Sequence, residues 1–144
     1  MSVNQKFRES FGRDGPDFSI IENLSDSDRQ ALIEELGNHL DFYDILALGH
    51  VGSESQISIF RTYLEDVDIN KRLAASRALW DVASLESAVI YIGELIKYSS
   101  DDMLLRVKGL GMLMTVKNPK AFEILQEKAR KSKDRRSIFK YSIL

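Results

Sequence analysis

Two aspartates three residues apart, Asp41 and Asp44 in the stretch LDFYDIL, are the side chains best spaced for chemistry. On a helix that spacing places both carboxylates on one face, with Tyr43 beside them. Such a pair could exchange a proton with a substrate, hold a divalent cation or offer negative charge to a basic partner. Nothing nearby completes the first two uses. His39 and His50 stand eleven residues apart, and zinc on a helix wants ligands three or four apart. The chain has no cysteine, so thiolate chemistry, disulfides and Cys-ligated zinc are all excluded. GLGM at 109–112 falls inside a helical pattern without a preceding strand, so it reads as close helix packing rather than a phosphate loop. No Gly-x-Ser-x-Gly elbow is present. The residues predict a non-enzymatic protein with no metal and no cofactor.

Charge points to a binding role. The net charge of −2 conceals a gradient: residues 1–66 carry 13 acids and 5 bases, residues 67–144 carry 9 acids and 15 bases. Asymmetry of this kind informs the choice of partner, not the fold. The expected partner-binding patch consists of Glu34, Glu35, Asp41, Asp44, Glu54, Glu65 and Asp66, with Tyr43 and Tyr63 as aromatic anchors. The tail KARKSKDRRSIFKY, 128–141, is strongly basic and is the alternative site, one that would grip nucleic acid through residues such as Arg135 and Arg136. Basic residues also suit a helix C-terminus, and Ile138, Phe139, Ile143 and Leu144 predict an end that packs back as a cap.

The elements that must position these residues are helices. DINKRLAASRALWDVAS, 68–84, is apolar on nearly every side except a stripe through Arg77, Asp81 and Ser84, so it needs neighbours on two sides. It has an echo 34 residues on: Arg72 falls over Arg106, Ala75 over Gly109, Leu79 over Leu113 and Val82 over Val116. Upstream, Ile45 and Leu48 match Leu79 and Val82, with Asp41 in place of a small residue. A second set of helices repeats as Ile57, Phe60, Leu64; Val89, Ile92, Ile96; and Phe122, Leu125, Ala129. Breakers at 49–55, 83–87 and 117–119 separate the helices of each pair, with Asn118 and Pro119 placed to open the last one. Before the repeats, Ser27 and Gln30 form a predicted capping box and Gly37 a helix stop. Residues 1–16 show little periodicity and are expected to be loose, leaving 17–144 as one domain.

This unit of about 33 residues resembles the HEAT-like repeats of phycobilisome-lyase-like families. The resemblance rests on the acidic entries (Asp66, Asp68; Asp101, Asp102), the early arginines Arg72 and Arg106, the core AASRALWDV, and ESAVIYIGELI and PKAFEILQEKA after the turns. It implies an all-α fold, a short right-handed α-solenoid of three to four helix pairs with a concave binding surface. The size, the acidic first half and the lack of a catalytic constellation predict an inhibitor such as an immunity protein, whose partner is a basic toxin or nuclease domain. Nucleic-acid binding through the basic half and a scaffold role are the alternatives; lyase-like relatives that act on bilin chromophores would require catalytic residues that the sequence does not supply. Without a secretory apolar segment or a membrane-spanning run, the expected location is the cytoplasm.

Overall fold

In the computed structural model, residues 2–12, 15–99 and 101–143 are described, the last twelve of these through their helical backbone. Among them the chain is all-helical: α1 (Val3–Glu9), α2 (Asp26–Leu36), α3 (Phe42–Val51), α4 (Ile57–Tyr63), α5 (Ile69–Ala83), α6 (Glu86–Tyr98), α7 (Met103–Thr115) and α8 (Pro119–Ile143), with short 3-10 turns at Phe18–Ile21 and Glu54–Gln56. The chain divides into two compact units, residues 1–88 and 89–144, where the sequence predicts a single domain over 17–144.

In the first unit α5 packs on both α3 and α4, which accounts for its lack of a broad polar face. Leu73, Ala74, Ala75, Ala78 and Leu79 are buried, and Trp80 lies half-buried against the same core. The approach of α3 to α5 depends on Gly49. A Cβ there would lie 2.9 Å from the Cα of Ala78, closer than real contacts allow. Gly49 is therefore an interior residue of α3, not the start of the 49–55 breaker. That break begins at Gly52, whose amide donates to the Leu48 carbonyl at 2.7 Å.

Residues 1–16, expected to be loose, begin with a capped helix. Ser2 and Gln5 form a capping box at the start of α1, and Phe7 is fully buried among Phe11 and Phe18. The sequence shows no long period here because α1 has only seven residues, about two turns. The predicted cap of α2 also moves: Ser25, not Ser27, accepts from the Asp28 amide at 3.2 Å. Gly37 ends α2 with φ +68°, a conformation L side chains rarely adopt.

In the second unit, the Asp102 side chain caps α7 and α7 packs on α8. Gly109 and Leu113, the echoes of Ala75 and Leu79 on α5, are buried along α7, as is Leu105. Asn118 accepts from the Lys120 amide at 2.8 Å as α8 opens at Pro119. Ile138, Phe139, Ile143 and Leu144, read from sequence as a cap, lie outside the residues with described side chains.

Candidate functional site

Asp41 is the N-cap of α3. Its carboxylate accepts from the Asp44 amide at 2.8 Å, while Asp44 Oδ2 accepts from the Asp41 amide at 3.1 Å. The three-residue spacing that suggested a chemical pair is the spacing of a capping box. The two carboxylates consequently part company. Asp41 is exposed; Asp44 is buried, at 5% exposure, and its Oδ1 pairs with the Arg8 guanidinium of α1. Burial pushes the Asp44 carboxyl above its ordinary value, and the neighbouring Asp41 charge adds to this against the Asp41 amide and Arg8. A carboxylate enclosed in this way cannot meet a partner, so Asp44 leaves the predicted patch.

Tyr43 is likewise held by its own chain. Its ring stands edge-on to Phe11 at 5.4 Å and to Phe42 at 5.1 Å. Gly15, at φ +95°, passes so close that a Cβ there would lie 3.0 Å from the ring. Tyr43 locks the N-terminal segment onto α3.

Tyr63 does two jobs. Its hydroxyl donates to the Asn38 carbonyl at 2.9 Å and accepts from the Leu40 amide at 3.1 Å, pinning the α2–α3 connection to the end of α4. Its ring also lines a recess of about 390 Å³ with His39, Leu40, Asp41, Asp66 and Lys71. The Lys71 ammonium lies 5.9 Å from the Tyr63 ring centroid, within cation–π range. Asp66 has local work as well. Its carboxylate accepts from the Asp68 amide at 2.8 Å and its carbonyl accepts from Arg72 Nε, which shapes the turn into α5.

Three of the predicted residues, Asp41, Tyr63 and Asp66, thus converge on one concavity drawn from three helix ends. Glu34, Glu35, Glu54 and Glu65 are exposed on the same unit but do not line the recess. His39 and Lys71 line it and were not among the predicted residues. No spacing in the sequence joins them to Asp41, since His39 precedes the cap of α3 and Lys71 sits in the first turn of α5.

The recess offers two carboxylates at its edge, a tyrosine ring at its wall and one lysine. This composition suits a cationic side chain entering from a partner: the carboxylates supply charge-assisted acceptors and the ring an apolar face. His39 has no described carboxylate or histidine partners that would make a metal set, and no such cluster occurs among the described residues. Arg135 and Arg136, the residues expected to grip nucleic acid, lie outside those with described side chains. No helix among the described residues is long and apolar enough to cross a membrane. Comparison with family models, with curated proteins and with solved structures finds no match to this chain.

Proposed function

We propose that the chain is a non-enzymatic protein-binding module of the inhibitor type, an immunity protein, whose first unit engages a basic partner such as a toxin or nuclease domain. The observation that carries this reading is the convergence of Asp41, Tyr63 and Asp66 on one recess within a unit that holds 16 acids and 8 bases. An acidic surface can occupy a basic cleft in place of nucleic acid, and opposite potentials speed the encounter. The exposed Glu34, Glu35, Glu54 and Glu65 extend the acidic field beyond the recess without a fixed role inside it. On this reading the protein acts in the cytoplasm. A HEAT-like α-solenoid is the fold that goes with this reading, supported by the order of α3 to α8 along the chain and by the buried positions that α5 and α7 share.

The test is capture of partners from the native cells by the tagged chain in a nuclease-treated lysate, beside the variant Asp41→Asn/Asp66→Asn. Asparagine caps helices as well as aspartate, so the variant removes charge while leaving α3 capped. A single stoichiometric basic protein, retained by the wild type and lost by the variant, is the expected result. Partners that vanish on nuclease treatment, or that bind both forms equally, would overturn the reading.

A further inference from the structure

The second unit contains a groove of opposite character. It lies between α6 and α8, has a volume of about 170 Å³, and is lined by Ile90, Gly93, Glu94 and Lys97 on one side and by Lys120, Ile124, Glu127, Lys128 and Lys131 on the other. Both sets fall at helical intervals of three and four, so each is one face of its helix. Gly93 lets the helices close, since a Cβ there would stand 2.9 Å from Ile124 Cδ1. Four lysines and two glutamates give the lining an excess of two positive charges.

The internal pairing takes up two of the four lysines. Lys131 pairs with Glu127 at 3.3 Å and Lys120 pairs with Glu123 at 3.3 Å. Lys97 and Lys128 form no ion pair among the described residues, although Lys97 lies 5.7 Å from the Tyr98 ring centroid. Lys128 is half-buried, and its ammonium is held below the usual lysine range by burial first, then by Lys131, Arg106 and Lys97, with Glu127 acting in opposition. Arg106 on α7 adds its charge to the field at Lys128, and its Nε is buried without an acceptor among the described residues. A folded chain that gathers uncompensated cations along a groove stores repulsion, which an anion would relieve.

We propose that the α6–α8 groove is a binding site for a dianionic phosphate group, with Lys97 and Lys128 as its principal ligands. The charge matches: a phosphate monoester carries about −1.5 to −2 at neutral pH, and Lys97 and Lys128 present two ammonium groups without an ion pair among the described residues. The size matches as well, because pockets for drug-sized ligands begin at about 300 Å³ and this one is smaller. Ammonium groups bind phosphate as point charges and need no planar fork. Ile90 and Ile124 give the floor an apolar patch for the carbon skeleton next to the phosphate. This site lies in a different unit from the recess of Asp41 and stands or falls apart from it.

The phosphate could be carried by a small molecule or by the end of a nucleic-acid strand, and titration of the full chain distinguishes them. The probes are inorganic phosphate, and a short single-stranded oligonucleotide with and without a 5′-phosphate, followed by NMR of the backbone amides at low salt. Inorganic phosphate is expected to shift the amides of α6 and α8 around Lys97 and Lys128 at saturable concentrations. Lys97→Gln/Lys128→Gln is expected to weaken it about tenfold or more, as the loss of a charge-assisted contact requires, while Lys117→Gln leaves it unchanged. Preference for the 5′-phosphorylated strand over its 5′-hydroxyl form would assign the site to strand ends; equal affinity of the phosphorylated strand and inorganic phosphate would assign it to small phosphates. Absence of saturable shifts in the groove, or equal binding by the double variant, would overturn the proposal. Should the double variant fail to fold, Lys97→Gln alone, at an exposed position, serves the same comparison.

Discussion

The Asp44 carboxylate is the residue at which chemistry and architecture were hardest to tell apart. Buried, capped by the Asp41 amide and paired to Arg8, it joins α1 to α3 across 36 residues of sequence. Arg8→Met would leave a buried charge with one partner fewer. It is expected to cost about 1–3 kcal/mol at neutral pH, read by urea denaturation, because one end of the pair still meets water. The pH dependence has an unusual sign. The folded pKa of Asp44 lies above its unfolded value of 3.8, so the folded state holds the proton more tightly, and stability from this group is gained as pH falls through that window and lost as pH rises. Asp44→Asn should abolish that gain, visible as a steeper net loss of stability on acidification. His50 acts in the other direction. Its ring stacks on Phe18 at 4.8 Å, and burial holds its pKa below 6.5, with Arg77 adding to the effect against Asp81 and Glu22. The unfolded chain then takes up the proton first, so stability falls as pH drops from about 6.5 towards the folded value and is flat below it. His50→Phe, which keeps a ring against Phe18, should remove that slope in thermal melts between pH 7 and 5.

At the scale of elements, the glycines separate close packing from open surface. Gly49→Ala forces a methyl group into the backbone of α5 and is expected to destabilise the fold by about 1–3 kcal/mol. Gly111→Ala meets nothing within 4 Å on α7 and should stabilise it by about 0.5–1 kcal/mol, because alanine gives up less backbone entropy in a helix. Opposite signs in the melting temperature are the outcome to look for. Phe7→Ala, in the helix that the sequence left unmarked, should cost about 3–5 kcal/mol as a core cavity does. These cases show what was legible. Periodicity in α5 betrayed its buried positions, since a helix covered on two sides repeats apolar and small residues at every turn, whereas the same density of apolar residues on α7 leaves Met103, Leu104, Val107 and Met114 exposed. Glycine and proline punctuation placed Gly37 and Pro119 correctly at helix ends. Gly49 read as a breaker because a glycine that admits a neighbouring backbone looks the same in sequence as one that ends a helix. The recess was legible only in part. Asp41, Tyr63 and Asp66 could be picked out by type and charge, but Lys71 joins them through the turn into α5, and that proximity belongs to tertiary structure. Asp44 was misplaced for a related reason: an N3 acid that caps its helix and an acid free for a partner have the same spacing from Asp41.

Taken as a whole molecule, the chain separates its charge along the same line that divides its fold. Residues 1–88 hold 16 acids and 8 bases, and residues 89–144 hold 6 acids and 12 bases. Two separate surfaces follow: a recess edged by carboxylates in the first unit and a lysine-lined groove in the second. The central claim is that the first of these receives a basic protein, and electrostatic steering gives it a kinetic signature. The measurement that tests it most directly is the association rate of the captured partner with wild type and with Asp41→Asn/Asp66→Asn across a range of ionic strength. The account predicts a rate that falls steeply as salt rises for the wild type and less steeply for the variant, with the two converging at high salt where screening shortens the reach of both. A rate indifferent to salt, or identical for the two proteins at low salt, would contradict it.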